Sequence, residues 1–300
     1  MIFDLSSCSI CPRNCKVNRK KGEKGFCRGG ILPKITRASL HMWEEPSISG
    51  EKGSGTVFFS GCNLGCVYCQ NYEISRSNMG KEADFNRLCD IFFKLYEKGA
   101  HNINLVTPTH FLPEILKAVE LSKKKGIKIP FVYNTSGYES VESLRHADGL
   151  IDIYLTDFKY ISHDLAKKYS HAPDYPGIVK AALFEMIRQN PECVFDEYGL
   201  MQKGVIVRHL MIPNCISDSK RVLKYLAKFK DQIFLSIMNQ FTPTPALVSH
   251  PEINRKVFDI EYQKLIDFAL ELGFENAYIQ EGDTAKLSFI PDFNVSEIDI

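Results

Sequence analysis

The stretch that limits this chain most is residues 56–72. An apolar run (Val57, Phe58, Phe59) gives way there to a polar, glycine-flanked loop carrying Cys62, Cys66 and Cys69. Such a run reads as a strand, and the cysteines follow it at C-x3-C-x2-C spacing. A loop this short gathers three thiolates round one compact centre. Three ligands are one short of the set that holds a [4Fe–4S] cube. The spacing therefore suits a cluster with one open iron, much as a catalytic metal keeps an open position. A zinc knuckle or a disulfide loop is the alternative use of such cysteines.

With 44% hydrophobic and 24% charged residues, the 300-residue chain has an ordinary globular composition and enough length for one α/β barrel. A net charge of +1 gives no overall field toward nucleic acid or membrane. No apolar stretch approaches the ~20 residues of a membrane span. The first residues lack the basic segment and apolar run of a secretory signal, so a cytoplasmic location is expected. Clustered cysteines there serve as metal ligands rather than disulfides.

Cys8, Cys11, Cys15 and Cys27 form a second set, C-x2-C-x3-C-x11-C, among glycines and without an apolar period. A segment with no core of its own can be held by a metal instead. Zinc and an auxiliary [4Fe–4S] cluster both accept four cysteines, and reduced structural cysteines are the third option. Residues 1–40 carry nine Lys/Arg against Asp4 and Glu23. With only Phe3 and Phe26 for base stacking, this reads as a solvated basic face or a dock for an acidic protein, not as a nucleic-acid site. Glu44 and Glu45 precede Pro46 and a glycine turn, and at least one of them is expected to face water.

Beyond the cysteine loop, strands and helices alternate. Strands are expected at 56–60, 103–106, 128–133, 150–158, 204–211 and 233–238. Helices are expected at 84–98, 111–125, 139–147, 163–190 (broken at Pro173 and Pro176) and 218–229. This β/α repetition implies a parallel sheet with right-handed crossovers, and a site at the carboxyl ends of its strands. The polar residues that fall there are Thr107, Thr109 and His110, then Asn134 and Thr135, then Asp157 and Lys159, then Arg208, then Asn239 and Gln240. His110 is either a proton donor or ligand, or a solvated residue at a helix start. Cys89 is read as core, and Cys193 and Cys215 as structural.

The run Gly61-Cys62-Asn63-Leu64-Gly65-Cys66-Val67-Tyr68-Cys69-Gln70-Asn71 resembles the signature of radical S-adenosylmethionine (SAM) enzymes. The resemblance implies that the cofactor's amino and carboxylate groups chelate the fourth iron and that Tyr68 lies by its adenine. Asp157-Phe158-Lys159 resembles the D-x-K of glycyl-radical-enzyme activases, whose lysine approaches the cofactor carboxylate. Asn134-Thr135-Ser136-Gly137 resembles their D-T-N-G segment. Arg208 with Pro213 resembles their R-x-x-x-x-P strand, whose arginine also contacts the cofactor. The G-G-E segment that usually holds the cofactor's amine is replaced by Thr107-Pro108-Thr109-His110, which leaves Thr107 and Thr109 for that contact. Asn134 stands where the activases have aspartate, and the activases lack the N-terminal cysteines. The chain therefore looks most similar to the pyruvate formate-lyase-activating-enzyme-like proteins.

The fold expected from this resemblance is α/β, a partial (β/α)6 TIM-like barrel over 56–245. A Cys-rich metal-binding extension over 1–55 precedes it. Residues 246–300, with a C-terminal helix at 259–272, a last strand at 277–279 and an acidic tail, complete the barrel. The implied activity is reductive cleavage of SAM at a [4Fe–4S] cluster and hydrogen abstraction from a substrate. That substrate is a protein glycyl residue in one version, and a peptide or small molecule in the other. Flavodoxin or ferredoxin is the implied electron donor. A non-enzymatic reading is an Fe–S electron carrier or a four-cysteine metal module.

Overall fold

In the computed structural model, which describes residues 3–77, 79–280, 293 and 296–298, the β-rich runs form ten strands. These are β1 (Lys34–His41), β2 (Ser54–Phe59), β3 (Lys81–Glu82), β4 (Ile103–Val106), β5 (Phe131–Thr135), β6 (Ile153–Asp157), β7 (Val194–Phe195), β8 (Met201–Leu210), β9 (Phe234–Met238) and β10 (Ala277–Ile279). They form one sheet in the order β10-β9-β8-β6-β5-β4-β2-β1-β3, with β7 beside β8. Every neighbouring pair from β2 to β10 along that path is parallel, and β1 closes the other side antiparallel to β2. The fold is mixed α/β, built on this central parallel sheet. β2 and β4 are buried along their whole length, as strands covered on both faces must be.

Helices join the parallel strands where the apolar period requires them. Helix Phe85–Glu97 starts at Asp84, whose carboxylate caps the Arg87 N–H at 2.9 Å, and buries Leu88, Ile91, Phe92 and Leu95. Helix Leu112–Lys125 has Pro113 in its first turn and stops at Gly126, a left-handed C-cap. The expected break in 163–190 falls between helices His163–Ser170 and Tyr175–Gln189. Pro176 does not break this stretch. It sits in the first turn of the second helix, where its missing N–H costs nothing.

Strand β1 lies inside what reads from sequence as an irregular extension. Its register shifts between Ile35 and Arg37, and that bulge interrupts the period-two pattern that would have marked it. Helix Asp259–Glu271 and β10 form as expected, while the acidic tail falls mostly outside the described residues. No helix among them is long and apolar enough to cross a membrane.

The sheet alternation builds two cores. Phe131, Tyr133, Tyr154, Val205 and Val207 pack with the helices. Val132, Ile153, Leu155 and Ile206 form a smaller apolar cluster on the opposite face with Ile48. Further along that second face, toward the carboxyl ends, the side chains turn polar. Asp157, Arg208 and Ser236 stand in register across β6, β8 and β9.

Candidate active site

Strand β2 delivers the cysteine loop to this polar end. Gly61 and Gly65 adopt left-handed backbone with φ of 88° and 72°. A Cβ on Gly61 would lie 2.3 Å from the Cys27 carbonyl oxygen, and one on Gly65 1.5 Å from the Arg76 guanidinium. The approach to the Cys27 backbone requires glycine at 61, and the left-handed φ favours glycine at both places. Gly61→Ala is expected to cost about 2–4 kcal/mol, from strain and overpacking together. A thermal melt checks this, and an unshifted Tm would show that the two segments part freely.

The loop aims Cys62, Cys66 and Cys69 into one cavity of about 430 Å³. Its wall takes residues from the carboxyl end of nearly every parallel strand, including Thr107, Asn134, Thr135, Asp157, Lys159, Arg208 and Gln240. Asn239 is outside the lining. The Leu64 N–H donates to Cys62 Sγ at 3.3 Å and Ser170 Oγ to Cys66 Sγ at 3.0 Å, which are contacts that favour thiolate. Burial, reinforced by the Cys62 and Cys66 thiols, pushes Cys69 up to about 12. Thiols so desolvated ionise against a bound cation rather than alone. Among the described residues no group of three or more Cys, His, Asp or Glu side chains is drawn together closely enough for a single ion. The donor set nonetheless fits a larger thiophilic centre, with three soft ligands on one side of a polar cavity and N–H or O–H donors behind two of them.

Tyr68 is buried beside this loop. Its hydroxyl lies 2.6 Å from that of Tyr160, which lies 2.9 Å from Ser170 Oγ. The chain of contacts runs from Tyr68 through Ser170 to Cys66. Lys159 Nζ donates to Asp157 at 2.5 Å. Burial works against the lysine's charge, but Asp157 and Cys66 outweigh it and raise its pKa. Thr107 has φ of 59°, which is unusual for a β-branched residue and a mark of imposed strain at a site.

Arg208 reaches the cavity but is already engaged. Its Nε donates to Glu45 Oε1 at 2.8 Å and its Nη2 to Glu45 Oε2 at 2.6 Å and to Glu44. Glu44 also accepts from Asn104 Nδ2 at 2.9 Å and Asn134 Nδ2 at 3.4 Å. The expectation that at least one of this glutamate pair faces water is therefore corrected. Both turn into the cavity, because Arg208 and two amides wait there for carboxylate. Asn104 carries a visible signal for such a partner, being an amide inside an apolar strand.

Thr109 and Thr135 are held by a residue that sequence reasoning missed. Thr109 Oγ1 donates to Glu139 Oε1 at 2.5 Å, Thr135 Oγ1 donates to the same oxygen, and Tyr133 donates to Oε2 at 3.3 Å. Thr109 does not line the cavity. Burial raises Glu139 from 4.5 to about 7, against the pull of its three hydroxyl donors. A folded-state pKa above the unfolded one means the native state holds the extra proton, so stability is full below pH 4.5 and declines as pH rises toward 7. The gap corresponds to about 3 kcal/mol. Glu139→Gln is expected to flatten this slope in urea titrations from pH 4.5 to 8, and an unchanged slope would place the titrating group elsewhere.

His110 is neither solvated nor in the cavity lining. It is buried with Nε2 2.8 Å from the Ser60 carbonyl, and burial pushes it down to about 4. Cys89 is core as expected, accepting from Ser122 Oγ at 3.2 Å. Cys8, Cys11, Cys15 and Cys27 group behind the loop, outside the cavity lining.

A family model described as the radical SAM superfamily matches residues 56–188, from β2 through the cysteine loop into helix Tyr175–Gln189. The uncharacterized protein MJ0674 of Methanocaldococcus jannaschii is 30% identical over 283 residues, covering 91% of this chain and 77% of that protein. The pyruvate formate-lyase-activating enzyme of Clostridium pasteurianum is 27% identical over 198 residues, 63% of this chain and 74% of that enzyme. A probable 2-pyrone-4,6-dicarboxylic acid hydrolase from Acinetobacter baumannii aligns over 85% of this chain and 86% of its own at 11% identity and a TM-score of 0.31, too low to carry an argument. The match opens on the strand that feeds the three-cysteine loop, and the chain belongs to the radical SAM superfamily, with a likeness to pyruvate formate-lyase-activating enzymes.

Proposed function

We propose that Cys62, Cys66 and Cys69 hold a [4Fe–4S] cluster in this cavity and that SAM binds beside it, to act on a protein glycyl residue brought to the cavity mouth. The observation that carries the reading is the meeting of the three thiols with the polar strand ends in one cavity. When bound, cluster and cofactor would together supply the one-electron chemistry that abstracts a hydrogen atom from the substrate. The likeness to an activating enzyme supports a glycyl target, and an electron donor of the flavodoxin or ferredoxin type goes with it.

The chain's own residues supply binding, orientation and exclusion of water. Leu64 N–H and Ser170 Oγ hold the thiolates. Tyr68 places an aromatic face at the third cysteine. Lys159 offers a cation for the cofactor carboxylate beside Cys66. Thr107 and Asn134 offer polar groups to its amine and ribose. Arg208, held through Nε and Nη2 by Glu45 and Glu44, serves here as the anchor of those two carboxylates rather than as a carboxylate receptor. Among the described lining residues, Glu44, Glu45 and Asp157 outnumber Lys159 and Arg208 by one charge, which suits a ligand bearing a sulfonium.

Anaerobically reconstituted, reduced protein is expected to convert SAM to methionine and 5′-deoxyadenosine, and a failure to do so sinks the proposal. Mixed with a candidate glycyl-radical partner, it should give the glycyl doublet by EPR. A doublet absent with every partner tested, alongside turnover of a peptide, would move the substrate to the peptide class. Lys159→Met should weaken SAM binding about tenfold to a hundredfold, measured by equilibrium dialysis with iron content unchanged.

A further inference from the structure

Cys8, Cys11, Cys15 and Cys27 take no part in the cavity, yet they are placed as a set. Cys8, Cys11 and Cys27 are 2%, 6% and 4% exposed. All four are free of disulfides. Cys11 lies within electrostatic reach of Cys27 and Cys8, and Cys27 within reach of Cys8 and Cys15.

The backbone is wound to present them. The Cys8 N–H donates to the Val17 carbonyl and the Lys16 N–H to the Cys8 carbonyl, each at 3.0 Å, while the Asn14 N–H closes a turn on the Cys11 carbonyl at 3.0 Å. Asn14 and Lys16 accept left-handed φ of 43° and 57° to do so. A Cβ on Gly25 would lie 2.5 Å from Cys15 Sγ, so glycine there makes room for that thiol. Cys27 Sγ accepts from the Gly29 N–H at 3.4 Å and from Arg19 Nη2 at 3.5 Å.

Arg19 adds an independent sign. It is 3% exposed, its Nη1 donates to the Gly30 and His110 carbonyls at 3.2 and 2.7 Å, and its Nε has no partner. No carboxylate pairs with it among the described residues. A buried guanidinium without an anion is costly, and among the described residues Cys27 is the ionisable side chain it hydrogen-bonds. Four thiolates on a divalent centre would carry a net negative charge and supply what Arg19 lacks.

We infer that Cys8, Cys11, Cys15 and Cys27 are a second metal site, a tetrathiolate one that takes zinc or an iron–sulfur cluster. Binding draws the four thiols closer than they stand. The site backs directly onto the cavity loop. Arg13, between Cys11 and Cys15, donates from Nε to the Asn63 carbonyl at 2.8 Å and from Nη2 to the Leu64 carbonyl at 3.1 Å. The Cys27 carbonyl fills the space beside Gly61. A metal there would fix the N-terminal segment, and through it the loop. The inference stands whether or not the cavity holds SAM.

The test uses the full chain carrying Cys62→Ala, Cys66→Ala and Cys69→Ala, prepared anaerobically with zinc, or with iron and sulfide. Elemental analysis should find about one zinc or about four irons per chain, lost when Cys11→Ser and Cys27→Ser are added. Zinc marks a closed structural site, and iron with sulfide an auxiliary cluster. Metal-free protein, or metal that survives the added serines, overturns the inference. If the fivefold variant is insoluble, alkylation of the triple variant decides. A chelator should make Cys8, Cys11, Cys15 and Cys27 reactive, and equal labelling with and without chelator overturns the inference.

Discussion

Replacing any one of Cys62, Cys66 and Cys69 with alanine is expected to abolish 5′-deoxyadenosine formation, with a loss of at least about a thousandfold. The argument is one of ligand count. Three thiolates already leave one iron of a cube without protein ligand, and two would leave half of it exposed to solvent and to dissociation. Outer-shell changes alone cost about tenfold to a hundredfold in metal affinity, so loss of a direct ligand should cost more. Iron at the loop should fall by about four per chain in elemental analysis of anaerobic protein. The fold should survive. Each of these residues keeps part of its surface open at the cavity wall and alanine removes only the sulfur, so each substitution should cost roughly 1 kcal/mol or less of stability. A variant that keeps its iron and its turnover would remove that cysteine from the centre. A variant that loses activity only because it unfolds would show a collapsed melt instead of a near-parental one. Iron content, product formation and Tm together separate these outcomes.

The sequence made the parallel sheet legible because each β/α unit repeats the same local physics. Val57, Leu105, Val132, Leu155, Val207 and Ile237 lie in buried strands, and the chain turns polar at the strand ends, at Thr107, Asn134, Asp157, Arg208 and Gln240, where a cavity opens. The cysteine loop was legible for the same reason, since its signal lies within eight positions from Cys62 to Cys69. What sequence did not disclose depends on distant pairing. Glu44 and Glu45 meet Arg208 across 164 and 163 residues, and nothing in Glu-Glu-Pro tells a carboxylate bound for an internal arginine from one bound for water. Glu139 was hidden similarly. Its partners Thr109 and Thr135 sit at two different strand ends, and each looked free to meet a ligand. In both cases the better signal was the unmet need of a buried polar side chain, such as Asn104 within β4 or the Arg208 guanidinium within β8, rather than any motif.

Arg208→Met is expected to cost about 3–5 kcal/mol, as breaking a buried ion pair does when it strands the partner charge. Glu44 and Glu45 are 9% and 5% exposed and share this one guanidinium. In the parent, burial favours the protonated Glu45, but Arg208 outweighs that and holds its carboxyl below the usual range. A depressed folded-state pKa contributes stability above the unfolded value of 4.5 that is lost as pH falls. Without Arg208 burial is opposed only by the Ser236 and backbone hydrogen bonds, the carboxyl pKa rises, and the variant loses stability as pH increases instead. The gap between parent and variant should therefore be small near pH 4 and fully open by pH 7 to 8 in urea denaturation. Arg208→Lys should recover only part of it, because one ammonium cannot satisfy the two-pronged contact to Glu45. An arginine whose work is to receive the cofactor carboxylate gives the opposite pattern, with SAM affinity lost while the pH-dependent stability gap stays closed. The bidentate contact to Glu45 and the added hold on Glu44 favour the first result. They make Arg208 the anchor that keeps two carboxylates of an N-terminal segment inside the mouth of the sheet.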